Sequence, residues 1–327
     1  MESISKIFDE LKSNPLSNSH GFHVRSISYS KGHKLGVTSD RQPMFFIKCG
    51  DSDEIKTIDY SLEFISVQFN RECVLQNDSQ QSESGTYSII SLKTDLKEIQ
   101  EYFLEIVLII IEKLPAAPKT SELRIEIEKL INLFSQFSRP PIKSIQGLWA
   151  ELLVIEQSKN PDYLIKSWHS LNTDKFDFND GNDKIEVKST SKNRRIHSFS
   201  IEQLNPNENS ILIVVSIFTI ETGIGLSIFE LEKRIRDKVG DRELIFKVNE
   251  IIAKTLGSDF QKSFDTFFDY QFAIDTIKYF SSDVIPKIDL NSVPSFVANV
   301  RFDSDLTDLI GLSNNPHNSS LHNAIFQ

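Results

Sequence analysis

The sequence predicts an α/β protein in two parts, and three observations carry that expectation. Residues 176–188, Phe-Asp-Phe-Asn-Asp-Gly-Asn-Asp-Lys-Ile-Glu-Val-Lys, set two alternating apolar and polar runs on either side of a turn, the pattern of a β-hairpin. Residues 211–220 are apolar on both faces and rich in β-branched side chains, as a central strand covered from both sides must be. Around these lie segments of helical period, interrupted by proline pairs at Pro115 and Pro118 and at Pro140 and Pro141.

Taken in order, an amphipathic helix opens the chain, and strand-like segments follow at 22–29, 44–49, 62–75 and 87–92. Residues 77–85 are polar and read as a loop or hairpin tip. A helix over 95–114 ends at Pro115-Ala-Ala-Pro118, which cannot continue it and offers no core side chains. The expected division therefore separates an N-terminal α/β region, 1–118, from residues 119–327. Beyond it, a helix over 121–137 stops at the second proline pair, and 144–157 forms the next. Glu151 lies on the apolar stripe of that helix, between Leu148 and Ile155, where an unpaired carboxylate is expensive. Either the helix turns Glu151 to solvent, or Glu151 has a partner. After the hairpin, 197–201 alternates like a third strand, and Ser200 with Gln203 fits a capping box opening a short helix. Helices over 229–239, 242–255 and 260–267 and strands over 272–279 and 296–302 complete the expectation.

Composition narrows the function. A chain of 327 residues, 39% hydrophobic, can build one large or two ordinary cores. Two cysteines, Cys49 and Cys73, support neither a disulfide framework nor a cysteine-based zinc site. The first residues carry acids where a signal peptide needs an apolar core. The apolar run 102–114 is broken by Glu105 and Glu112 and is too short for a bilayer, so a soluble cytoplasmic protein with no membrane partner is expected. A net charge of -10 argues against unspecific coating of nucleic acid. Yet Lys188, Lys192, Arg194, Arg195 and His197 follow one another with no acid before Glu202, which is either a solvated loop or a phosphate-binding run.

The hairpin speaks about chemistry. With Gly181-Asn182 as a two-residue turn, Asp177 stands opposite Glu186, and Lys188 shares their face. Phe176, Phe178, Ile185 and Val187 then share the other. Opposed Cβ atoms lie about 4.5–5.5 Å apart, so the two carboxylates need a positive group between them, a divalent cation or the Lys188 ammonium. A calcium EF-hand is excluded, because Gly181 as its sixth position would make Phe176 and Phe178 ligands. A two-carboxylate glycosidase leaves Lys188 and the basic run without a role.

The order of helix with Glu151, strand with Asp177, strand with Glu186 and Lys188, strand and helix resembles the PD-(D/E)xK nuclease superfamily, also called restriction-endonuclease-like. The matching pieces are Gly147-Leu-Trp-Ala-Glu151-Leu-Leu, Lys175-Phe-Asp177-Phe, Ile185-Glu186-Val-Lys188-Ser-Thr and Arg195-Ile-His197-Ser-Phe-Ser-Ile-Glu-Gln203-Leu204, within about 144–230. The wording is similar to a bacterial branch associated with restriction or phage-defence loci, and leaves the first 118 residues without a parallel. The resemblance implies a mixed β-sheet core flanked by helices within 119–327. It implies Asp177 and Glu186 as ligands of Mg²⁺, or Mn²⁺, with Glu151 joining directly or through water. Lys188 would orient the attacking water and offset developing charge. Gln203 and His197 would lie near the scissile phosphate, with Lys192, Arg194 and Arg195 holding substrate. DNA is the implied substrate, and other proteins of a defence operon or a second copy are the implied partners. Phe176 departs from the proline of the family's motif, a position that carries no chemistry. Asp174 and Asp183 are rival acids, the first expected on the face opposite Asp177, the second in the turn. Two other readings stand beside the DNA endonuclease: a catalytically silent subunit of the same fold that binds nucleic acid or scaffolds a complex, and a nuclease acting on RNA or branched DNA. The three residue types on one face favour an enzyme.

Overall fold

The computed structural model describes residues 3–13, 22–27, 32–50, 57–79, 81–168, 175–206, 210–315 and 319–326. The chain is a mixed α/β protein that divides into two compact units, Met1–Gln136 and Phe137–Gln327.

The first unit runs α1 (Ile4–Ser13), β1 (Phe22–Ser26), β2 (Lys34–Val37), β3 (Pro43–Lys48), β4 (Tyr60–Ser61), β5 (Ile65–Gln76), β6 (Ser82–Leu92), α2 (Lys97–Lys113) and α3 (Thr120–Ser135). Its strands are ordered β1-β2-β3-β6-β5-β4, and β1 also pairs with β5, so the sheet curls back on itself and covers edges that would otherwise invite pairing. Strand β6 begins at Ser82, before the apolar run at Tyr87, because the polar stretch pairs with β5 from Glu72↔Thr86 to Gln76↔Ser82. Backbone hydrogen bonding lengthens a hairpin that hydropathy alone would cut short. The division between units falls after α3 and not at Pro118. Leu123, Ile127, Leu130 and Phe134 of α3 are buried, and the Phe134 ring lies 6.2 Å from that of Tyr102 and 5.9 Å from that of Phe103 on α2. The proline pair is thus a bend within one core.

The second unit runs α4 (Ile145–Gln157), α5 (Pro161–Ser167), β7 (Phe178–Asn179), β8 (Lys184–Thr190), β9 (Ile196–Ser200), α6 (Ile201–Leu204), β10 (Leu212–Phe218), β11 (Glu221–Thr222), α7 (Ile228–Lys238), α8 (Arg242–Leu256), β12 (Phe267–Phe268), α9 (Tyr270–Asp275), β13 (Lys278–Ser281), β14 (Arg301–Asp305) and α10 (Ser320–Asn323). A mixed sheet is ordered β13-β10-β8-β7, with β10 parallel to β8 and both edge strands antiparallel to their neighbours. Leu212 to Ile217 of β10 are buried on both faces, as the central-strand pattern requires. Helix α4 packs on β8 and α7 with Leu148, Leu152 and Ile155 fully buried, and Trp149 donates to the Leu226 carbonyl at 2.8 Å.

Four expectations for this unit are corrected, and the first is the strand over 296–302, which forms only from Arg301, as β14. Strand β9 is no third strand of the hairpin sheet: it pairs with β14, about a hundred residues downstream, from Ile196↔Asp305 to Ser200↔Arg301. Residues 260–267 hold a 3₁₀ turn, Lys262–Asp265, in place of an α-helix. Residues 272–279 begin in α9 because the Asp269 carboxylate accepts the Phe272 amide at 3.0 Å and caps a helix, and only the end is strand. Helix α5 was unforeseen although its start is written in Asn160-Pro161, a cap followed by proline at the first helical position. Among the described residues, no helix is long and apolar enough to cross a membrane.

Candidate active site

The hairpin forms in the expected register. Phe178 pairs with Ile185 and Asn179 with Lys184; the ladder ends there, and Asp177, one residue before it, reaches β8 through its carboxylate, which accepts the Val187 amide. Gly181 takes a φ of 96°, which the first residue of this turn requires, and the Asp180 carboxylate accepts the amides of Asn182 at 3.0 Å and Asp183 at 2.8 Å. Asp183 sits in the turn, accepts the Ile211 amide at 3.0 Å and takes no part in the site. Asp174 lies outside the described residues. The alternation stops short of Phe176, since β7 begins only at Phe178. Phe176 therefore joins Phe199, Leu204, Leu212 and Val214, while Phe178 stacks on Trp168.

Each of the two opposed carboxylates has its own lysine. Glu186 Oε1 meets Lys188 Nζ at 2.7 Å and accepts Gln203 Nε2 at 2.6 Å. Asp177 Oδ2 accepts the Val187 amide at 2.7 Å, and its Oδ1 accepts Lys143 Nζ at 2.5 Å. The same ammonium donates to Glu151 Oε1 at 2.7 Å, and Trp168 Nε1 donates to Glu151 Oε2 at 2.8 Å. Glu151 is 2% exposed, so the helix does not turn it to water; it has partners. Gln203 reaches Glu186 because the capping box forms: Ser200 Oγ accepts the Gln203 amide at 3.3 Å, and Gln203 Oε1 accepts the Ser200 amide at 3.0 Å. Lys188 also lies 5.0 Å from the centre of the Phe199 ring.

The electrostatics follow from burial. Burial, with Asp177 next, pushes Glu186 up to about 8 against the pull of Lys188 and Lys143. Its Oε2 is buried with no hydrogen-bond partner among the described residues. Burial pulls Lys143 down, but the Asp177 and Glu151 carboxylates outweigh it and hold the ammonium well above the usual lysine value.

Glu151, Asp177, Glu186, Lys188 and Gln203 open on one cleft of about 870 Å³, whose walls also carry Lys143, Lys175, Lys254 and Arg301. The expected phosphate-binding run is largely elsewhere. The Arg195 guanidinium is buried, donates to the Ser216 carbonyl at 2.7 Å and to Ser216 Oγ at 2.8 Å, and is lowered by burial to about 10. His197 is buried with Nε2 at 2.7 Å from Ser216 Oγ, and burial lowers it to about 4, with Lys188 and Arg195 adding to the effect. Arg194 pairs with Asp305, and Lys192 borders a separate hollow beside Phe218 and Phe272. Phe199 and Ser216 draw this strand inward, which its charge did not announce.

Besides the cleft cations Lys254 and Arg301, two residues at the site's acidic end were not foreseen from the sequence. Trp168 gave no signal. Lys143 gave a weak one, standing one residue before the Ser144 cap of the helix whose buried acid needed a partner. Among the described residues, no three His, Cys, Asp or Glu side chains converge closely enough to hold a metal ion, and Glu151 and Asp177 are joined through Lys143 instead.

A family model described as "Putative PD-(D/E)XK family member (DUF4420)" matches residues 4–307, and the chain belongs to that family. That family description points to a nuclease-like fold, and the mixed α/β architecture fits it. No curated protein and no solved structure matches the chain.

Proposed function

We propose that the second unit is a restriction-endonuclease-like core and that the protein is a metal-dependent endonuclease hydrolysing phosphodiester bonds of DNA. The observation that carries this reading is that Asp177, Glu186 and Lys188 of the β7–β8 hairpin and Glu151 of α4 line one cleft. The donor set suits Mg²⁺ or Mn²⁺: it is all carboxylate oxygen, and Glu186 Oε2 is a buried acceptor with no hydrogen-bond partner among the described residues. Asp177 and Glu186 would hold the ion, with Glu151 joining directly or through water. When bound, such an ion polarises a phosphoryl oxygen and makes a coordinated water a better nucleophile.

The remaining work falls to the chain itself. Gln203 fixes the Glu186 carboxylate through its own capped position, so Glu186 is oriented before anything binds. Lys188, held at 2.7 Å from Glu186, orients the attacking water and offsets charge developing on the phosphate. Lys175, Lys254 and Arg301 are the cleft's outer cations, and they replace Arg195 and His197 as the groups we assign to backbone phosphates. The setting we propose, a bacterial restriction or phage-defence system with further operon proteins or a second copy as partners, is supported by the family resemblance.

The test is cleavage of plasmid, single-stranded DNA and RNA by the purified chain in Mg²⁺ or Mn²⁺, with and without chelator, beside Asp177→Ala and Lys188→Ala. Cleavage that needs metal and is lost in both variants supports the mechanism, whereas Lys188→Ala cutting as fast as the parent refutes it. DNA binding without cleavage under any condition moves the protein to a silent nuclease-fold subunit.

A further inference from the structure

Lys143 belongs to no segment of the resemblance, yet its ammonium bridges two acids of the cleft, 2.5 Å from Asp177 and 2.7 Å from Glu151. The two carboxylates are 5% and 3% exposed, whereas the lysine side chain is 34% exposed. The acids are fixed in place, Asp177 by the Val187 amide and Glu151 by Trp168. The backbone around Lys143 is fixed too: the Ile142 amide donates to the Thr255 carbonyl at 2.9 Å, and Ser144 caps α4. Of the three charged groups, which all line the cleft, the lysine side chain is the most exposed. An ammonium on a flexible four-carbon stem is a compact point charge that can hold two carboxylates together and then let go.

We propose that Lys143 is a displaceable positioning residue: its ammonium holds Asp177 and Glu151 converged, yields that place when a divalent cation binds, and swings into the cleft to face substrate phosphate. The inference rests on the reading that these carboxylates bind a cation. Two positive groups cannot share them, because at such separations their repulsion in a partly buried site is large. Lys143 therefore competes with the metal, and occupancy of the site depends on both.

The full chain is titrated with Mn²⁺, free ion being followed by electron paramagnetic resonance and binding by calorimetry, for the parent, Lys143→Gln and Lys143→Arg. Lys143→Gln should bind Mn²⁺ at least about tenfold tighter than the parent, since the competitor is gone, while Lys143→Arg stays near the parent. A lysine that only stabilises the fold would give weaker or equal binding in Lys143→Gln, and that result overturns the proposal. A second measurement needs no variant. Acetylation of Lys143 in the parent, read by mass spectrometry, should rise several-fold on adding Mg²⁺, and an unchanged rate while Mg²⁺ binds would refute displacement. If neither parent nor variants bind Mn²⁺, the metal reading of the whole site falls and this inference with it. If all bind equally, the inference alone falls.

Discussion

Replacing His197 with Gln tests whether the basic run after the hairpin faces substrate or lies inside the protein. His197 Nε2 lies 2.7 Å from Ser216 Oγ, and burial first, then Lys188 and Arg195, lower its pKa from 6.5 to about 4, with Asp305 pulling weakly the other way. A folded pKa below the unfolded one means that the unfolded chain binds the proton more readily. The stability from neutral His197 is therefore fully present above pH 6.5 and is lost as pH falls towards 4. A shift of this size corresponds to about 3 kcal/mol in full, of which about 2 kcal/mol is lost between about pH 7 and pH 5. Denaturant unfolding of parent and His197→Gln across that range should show the parent losing about 2 kcal/mol more than the variant, in the transition that reports the second unit. The imidazole resonance of His197, assigned by its absence in the variant, should titrate near 4 in the folded protein. Parallel stability curves, or a resonance titrating near 6.5, would refute the buried assignment and return His197 to the substrate side.

The cleft cations make a second prediction. Changing Lys175, Lys254 and Arg301 to Glu should weaken duplex DNA binding and lower the slope of log affinity against log salt by about two to three, at about 0.9 per phosphate, whereas Lys192→Glu with Arg194→Glu should change it little. Fluorescence anisotropy in chelator over a salt series decides this, and equal effects of the two sets would contradict the cleft assignment. A third concerns Trp168, whose indole donates to the buried Glu151 carboxylate. Trp168→Phe should cost about 1.5–3 kcal/mol by removing a hydrogen bond to a charged acceptor, measured by denaturant unfolding, and a cost under about 0.5 kcal/mol would show that Glu151 does not depend on it.

Local signals in the sequence determined the parts of the site that backbone periodicity dictates. The register of the hairpin, Phe178 against Ile185 and Asn179 against Lys184, followed from a period of two around a glycine turn, and the Ser200 and Gln203 capping box followed from a spacing of three. The buried run of β10 was legible for the same reason: its side chains declare two covered faces. The resemblance to the nuclease superfamily was legible in such short pieces taken in order, and a family model matching residues 4–307 bears it out.

Only the tertiary structure decided which charges meet. Lys143 precedes a helix cap, Trp168 ends α5 and Asp177 precedes β7, and nothing in their local patterns joins them; the packing of α4 on the sheet does. The run of Arg194, Arg195 and His197 looks like one basic surface in sequence, but β9 alternates its side chains. Arg195 and His197 therefore turn inward to Ser216, while Arg194 remains outside. Pairing with β14 fixes that choice of face from far along the chain. Periodicity is a property of neighbouring residues and is written locally, whereas the partner of a buried charge is set by chain paths, and a sequence fixes those only through the whole of the packing.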